Sequence, residues 1–297
     1  MHRTAYIFLI LTMLFWGGNA VAGKFAVGHV SPLLLTTLRW VFAFALLVAI
    51  GHRHLVADWA LVRRHLVLLA TLGFFGFTCF NVTLYTALTH TSAINVTIEQ
   101  AGIPMLVFLL NFLFFRTRVS AGQFAGFVLT VSGVALAVSH GDLSTLLRLQ
   151  LNFGDALMVI AILVYAGYTV ALPLRPAIHW QSFMIVLAGA ALLTSLPFAA
   201  AELATGGMIW PDSVGWATVL YIALFPSLLA QVLYVRGVEM IGPNRAGLFI
   251  NLVPIFGTLL SILVLGEVLY AYHAIALALA LGGIWIAELS GRHVARR

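Results

Sequence analysis

The sequence predicts an all-α membrane protein, with ten transmembrane helices arranged as two inverted-topology five-helix repeats. Three observations predict it. Of the 297 residues, 62% are hydrophobic and only 8% charged, with a mean hydropathy of +1.07, whereas a soluble domain is about half apolar and about a quarter charged. The apolar residues run continuously for about 20 positions at a time, the length that crosses a hydrocarbon core of about 30 Å. Finally, the chain aligns weakly with itself at an offset of about 150 residues, the mark of a duplication.

Taken in order, the runs are Thr4 to Lys24, Pro32 to Gly51, His65 to Leu88, Ser92 to Phe115 and Ser120 to Ser139 in the first half. Phe153 to Pro173, Ser182 to Glu202, Val214 to Arg236, Arg245 to Gly266 and Tyr270 to Glu288 follow in the second. Helices are expected because backbone polar groups in lipid must be satisfied within the segment, and strands would alternate with period two. The expected units are 1–140 and 153–290, joined by a loop at 141–152.

Twelve of the fifteen lysines and arginines fall on one side: Arg3, Arg53, Arg63, Arg64, Arg116, Arg118, Arg175, Arg236, Arg245, Arg292, Arg296 and Arg297. Lys24 and Arg148 fall on the other, and Arg39 lies inside the second run. Cytoplasmic flanks carry such an excess, so both termini are expected in the cytoplasm of a bacterial-type inner membrane. The first run ends in Ala20-Val21-Ala22 and has a signal-peptide look, but removing it leaves an odd number of spans and spoils the charge asymmetry.

In the self-alignment Trp16-Gly17-Gly18-Asn19 falls on Tyr165-Ala166-Gly167-Tyr168, Asn81 on Gln231, Pro104 on Pro254 and Gly133 on Gly283. Each half has an odd number of spans, so the second enters the membrane from the opposite face. In transporters that arrangement puts a substrate site between the repeats near the midplane and permits alternating access.

Several polar groups inside the runs are candidates for substrate binding. Trp16 and Asn19 share a helix face, as do Tyr165 and Tyr168, and both pairs are expected to line a central cavity. Thr78, Asn81 and Tyr85 form a stripe repeated by Gln231 and Tyr234. Their amides and hydroxyls suit a zwitterion, with interhelical hydrogen bonding as the alternative. Asn251 precedes Pro254, and Asn95 with Gln100 precedes Pro104, so both prolines are expected to kink their helices. Glu99 is read as the one acid deep in a span, either a binding or proton-coupling group or the ion-pair partner of Arg39. Glu239, Glu267 and Glu288 lie near span ends and are read as solvated or tied to nearby basic groups.

Other classes are disfavoured. A single cysteine, Cys79, excludes an intramolecular disulfide and Cys-based metal clusters. There is no H-E-x-x-H motif or comparable ligand spacing, so no metal site or cofactor is expected, and no phosphate-binding loop appears. The basic residues, for all the +6 formal charge, form no patch interleaved with aromatics, so no nucleic acid is expected. No nucleophile–base pair marks an enzyme.

The Trp16-Gly17 opening with Lys24, Arg39 in the second run, Tyr85-x-Ala87 ending the third, and the Pro254 run closing in Leu265-Gly266-Glu267 resemble the EamA-type drug/metabolite transporter superfamily. The resemblance spans both halves and is nearest to the YddG-type amino-acid exporters. It departs at Arg116-Thr117, where the second half has Gly266-Glu267. It implies a secondary transporter exporting small metabolites, amino acids including apolar or aromatic ones, by alternating access through a central cavity. The alternative is a multidrug or toxic-cation exporter driven by proton exchange. The partners implied are a small-molecule substrate and the lipid bilayer, and a monomer is sufficient.

Overall fold

The computed structural model describes residues 2–116, 120–142, 144 and 152–294. Thr117, Arg118, Arg148, Arg296, Arg297, most of the 141–152 loop and the side chain of Arg292 lie outside that description. Ten helices among the described residues are long and apolar enough to cross a membrane: α1 (Arg3–Phe25), α2 (Pro32–Arg64), α3 (Leu66–Leu88), α4 (Ala93–Phe114), α5 (Ala121–Val138), α6 (Phe153–Leu174), α7 (Trp180–Ala204), α8 (Ser213–Ile241), α9 (Arg245–Leu265) and α10 (Ala271–Ser290). With an even number of spans, both ends of the chain lie at one face, here the terminal face; the loops after α1, α3, α5, α7 and α9 lie at the opposite face.

The second helix is longer than expected. It continues past Gly51 to Arg64, because the segment 52–64 is amphipathic rather than apolar and so escapes a search for hydrophobic runs. Its 33 residues span about 50 Å at 1.5 Å per residue, well beyond a core of about 30 Å.

Four helices are interrupted, at matching places in the two halves. In α4 a turn at Ala101-Gly102 separates Ala93–Gln100 from Ile103–Phe115, just before Pro104. In α9 a 3₁₀ turn, Leu248–Asn251, precedes the Leu252–Leu265 segment that carries Pro254. Both obey the rule that proline supplies no N–H to the preceding turn. The other two breaks carry no such warning in α3, where a π-helical turn occupies Phe74–Cys79; its counterpart in α8 is Phe225–Leu229, with Pro226 inside it. Each π turn loosens the backbone ladder and leaves carbonyls to be satisfied by side chains. Ser227 does so in α8, its hydroxyl donating to the Ile222 carbonyl at 2.7 Å.

The most extensive helix pairs are preserved when each helix is exchanged with the one five places along. Thus α2 packs on α7, α5 on α10 and α4 on α9, while α1 packs on α8 and α9 as α6 packs on α3 and α4. Small residues permit the closest of these approaches. A Cβ on Gly17 would stand 2.7 Å from the Gly257 nitrogen and 2.9 Å from the Val253 carbonyl oxygen, so α1 and α9 meet backbone to backbone, as small residues allow in membranes. The largest apolar core sits toward the opposite face, where Ala20, Val30, Leu34, Leu88, Met158 and Val219 are buried together. Nearer the terminal face Trp16, Tyr165, Gln231 and Tyr234 keep accessible surface.

Candidate functional site

Two buried polar clusters lie inside the bundle. The first is built on Arg39, which lies about two helical turns after Pro32 and is only 7% exposed. Its Nε donates to Ser227 Oγ at 2.7 Å, and its Nη1 donates to Asn81 Oδ1 at 2.6 Å, Tyr85 Oη at 2.5 Å and Asn19 Oδ1 at 3.2 Å. The phenol of Tyr85 donates in turn to Asn19 Oδ1 at 2.9 Å. The Asn81 amide nitrogen is anchored on the Phe77 carbonyl at 2.5 Å, within the π turn of α3. The guanidinium therefore joins α1, α2, α3 and α8, and each π turn delivers or anchors one of its partners.

No carboxylate neutralises this cation among the described residues. Its partners are amide, phenol and hydroxyl oxygens, which satisfy its donors without cancelling its charge. Its remaining nitrogen, Nη2, makes no hydrogen bond among the described residues.

Aromatic rings stand next to it. The guanidinium carbon lies 4.9 Å from the Trp40 ring centroid, and Trp40 stacks on Phe77 at 4.6 Å with 4° between the planes. Trp16 and Tyr234 meet across α1 and α8 at 5.3 Å, and Tyr165 meets Phe80 across α6 and α3 at 4.7 Å. The Tyr165 phenol is within electrostatic reach of both Arg39 and Tyr234, and it lies deep in the bundle while retaining accessible surface. A residue both deep and accessible borders internal space. Toward the opposite face, Tyr85 lines a hollow of about 110 Å³ with Gly23, Thr89 and Ile209, room for only about three or four waters.

The second cluster lies nearer the opposite face. Asp155 is fully buried at the start of α6, accepting from Thr91 Oγ1 at 2.5 Å and bonded to His140 Nε2 at 2.7 Å. Asn95 bridges to His140 at 3.4 Å through its amide nitrogen and to His273 Nε2 at 3.0 Å through its oxygen. Glu99 is 0% exposed, faces Asp155, and has no donor group on either carboxylate oxygen among the described residues.

The sequence candidates therefore separate. Asn19, Asn81 and Tyr85 converge on Arg39, the Tyr165 phenol is within electrostatic reach of it, and Trp16 and Tyr234 pair with each other across α1 and α8. The alternative of an Arg39–Glu99 ion pair does not hold: Arg39 is held by neutral oxygens and Glu99 faces another acid. Glu99 is not the one fully buried acid: Asp155, close to a span end, is also 0% exposed. Thr78 leaves the stripe to bond α7, at 3.1 Å to the Ala191 carbonyl and 2.7 Å to Thr194 Oγ1, since the π turn rotates it away from Asn81. Tyr168 packs on the Cβ-less Gly76 and on Phe77, at 9% exposure. Asn251 donates to Glu288 Oε1 at 3.2 Å, tying α9 to α10, and Gln231 makes no side-chain hydrogen bond among the described residues.

Of Glu239, Glu267 and Glu288, Glu239 alone forms a direct ion pair among the described residues, 3.2 Å from Arg236. Glu267 instead accepts from the Ala93 and Ile94 N–H groups at 2.8 and 2.9 Å, capping α4, where a carboxylate also suits the helix dipole. Glu202 plays the same part for α2, accepting from Ser31 Oγ at 2.6 Å and the Leu34 N–H at 2.9 Å. Sequence reasoning missed Ser227, His140, Asp155 and His273. The signal for the first was its place one residue after Pro226; for the others it was only that polar span ends from α5, α6 and α10 gather at one face.

Comparison with known proteins agrees with this architecture. The sequence profile of the EamA-like transporter family matches residues 3–139 and again 152–289. The uncharacterized transporter YetK of Bacillus subtilis is 28% identical over 283 residues, 95% of this chain and 86% of YetK. An uncharacterized transporter of Archaeoglobus fulgidus is 25% identical over 96% of this chain and 98% of its own. The uncharacterized inner membrane transporter YicL of Salmonella typhimurium is 22% identical over 99% of this chain and 98% of its own. A crystal structure 21% identical in sequence shares the fold, with a TM-score of 0.64 over 99% of each chain.

Proposed function

The chain belongs to the EamA-like transporter family, and from that premise we propose that it exports small zwitterionic metabolites, amino acids with apolar or aromatic side chains above all, in the manner of YddG-type exporters. It is an integral membrane transporter. The observation that carries the substrate reading is the free Nη2 of a buried, un-neutralised Arg39 beside an aromatic wall. A substrate carboxylate completes the guanidinium's donor set with a charge-assisted hydrogen bond, while Trp16, Tyr165 and Tyr234 offer π faces to an apolar side chain or to the ammonium.

The packing symmetry between the halves supports an inverted repeat, because five spans per half reverse the direction of equivalent helices. Alternating access then exchanges the tight core at the opposite face with the accessible surface around Trp16 and Gln231. With the arginine-rich terminal face in the cytoplasm, the accessible surface around Trp16 and Gln231 lies on the inward side of the site. The inner membrane is the expected location, as the name of YicL suggests for that relative. One chain encloses the whole site, so a monomer is sufficient.

The buried acid Glu99 favours the second reading, a proton-driven exporter of toxic cations. Uptake of a mixed set of labelled amino acids into liposomes carrying the purified protein separates the two. Uptake that falls to background in Arg39→Gln supports the zwitterion reading; failure of any amino acid to move, with organic cations moving instead, contradicts it.

A further inference from the structure

We propose that Glu99 and Asp155 form a one-proton binding site, loaded from the opposite face through His140; only its use in driving transport rests on the function proposed above. The two acids come from α4 and α6 and face each other inside the bundle. A pair of acids alone would say little. The independent observation is that Glu99, 0% exposed, receives a hydrogen bond from no donor group on either oxygen.

Among the described residues, the groups on the elements packed against α4 place no cation within ion-pair distance of Glu99. From α6 comes Asp155; from the end of α5, His140; from α10, Tyr272 and His273, the latter bonded to Asn95. From α1 comes Lys24, whose ammonium is engaged by the Leu88 and Thr91 carbonyls at 2.9 and 2.7 Å. After α9 comes Glu267, on the helix cap, and from α3 comes Tyr85, committed to Arg39. An ionised carboxylate buried without a partner costs several kcal/mol, and two side by side repel each other as well.

One proton resolves both problems, and the hydrogen bonds indicate where it resides. Asp155 already has Thr91 and His140 as partners, so it keeps the negative charge. Glu99 has none, so it takes the proton and donates its O–H toward Asp155.

The route inward is laid out by exposure: the His140 side chain is 46% exposed and Asp155 0%. His140 is held at this mouth by a left-handed backbone, φ 51°, just past the end of α5. In one transfer water gives a proton to His140 Nδ1, the Nε2–H bond breaks as an O–H bond forms on Asp155, and Asp155 passes its proton to the Glu99 carboxylate. One proton leaves solution, one O–H bond forms on Glu99, and Asp155 returns to its starting charge. The histidine tautomer resets by rotation or exchange with water.

Infrared difference spectroscopy on the purified, lipid-reconstituted protein tests this without knowledge of any substrate. The expected result is a carboxylic-acid carbonyl band at neutral pH that is lost in Glu99→Gln and shifted in frequency in Asp155→Asn, because the acceptor of its O–H has changed. Absence of the band in the wild type, or its persistence in Glu99→Gln, overturns the site. Should Glu99→Gln not fold, an unshifted band in Asp155→Asn overturns it equally. Failure of the amino-acid reading would appear in the uptake assay and leave this spectrum unchanged.

Discussion

The two polar clusters handle a buried charge in opposite ways. Arg39 sits among neutral oxygens that satisfy three of its bonds on one nitrogen and a fourth on another, and one nitrogen is left over. Glu99 sits against a second acid with no donor at all. The first is preorganised for an anion; the second is completed by a proton. The difference also shows where the duplication has been broken. At an offset of about 150 residues Arg39 falls on Gly189 and Glu99 on Phe249, so the scaffold is shared by the halves while each charge belongs to one half alone.

The comparison breaks most severely if Arg39 is replaced. Arg39→Gln removes the cation and deprives the Ser227, Asn81 and Tyr85 oxygens of their charged donor, and substrate affinity should fall roughly a hundredfold, about 2.7 kcal/mol. Arg39→Lys should not rescue it, because a point charge cannot reach Ser227 and Asn81 together. Trp16→Ala sharpens the picture instead of breaking it. Removing one ring should weaken aromatic amino acids by about 1 kcal/mol, roughly fivefold, and leave the smallest ones nearly unchanged, which competition binding would resolve.

Thr78→Val tests a packing contact that the sequence had grouped with the site. Loss of its bonds to α7 should cost about 0.6 kcal/mol, as such bonds average in membranes, lowering the melting temperature slightly with transport intact. The smallest effect lies outside the spans, where His179 stacks on His54 at 3.8 Å and its N–H donates to Asp58 Oδ2 at 2.9 Å. Burial and the adjacent His54 hold His179 below the ordinary histidine pKa. A depressed folded-state pKa means that the neutral form stabilises the fold at neutral pH, and that this contribution is lost as pH falls through the folded value. Melting curves should therefore show a small step on acidification, reduced in His54→Ala, which removes the smaller of the two causes.

The fold was largely legible because membrane helices announce themselves through length, apolarity and flanking charge, each of which survives without tertiary information. The amphipathic end of α2 escaped for the same reason, since nothing apolar marks it. In the site, Asn19, Asn81, Tyr85 and Arg39 could be recognised as polar groups set in apolar helices. Their convergence could not, because it depends on the π turns at Phe74–Cys79 and Phe225–Leu229, which change the helical phase. That phase change aims Thr78 at α7 and brings Ser227 to Arg39. Asp155 was hidden differently: a residue two positions into a span reads as solvated until Thr91 and His140 are seen closing over it.

The most direct test of the account is the binding of one aromatic amino acid and of its decarboxylated amine to the purified wild-type protein, followed by calorimetry or thermal shift. If Arg39 Nη2 receives a carboxylate, the amino acid binds and the amine, with the same ring and ammonium, binds at least roughly tenfold more weakly. Equal or tighter binding of the amine would contradict the anion site and move the protein to the cation exporters.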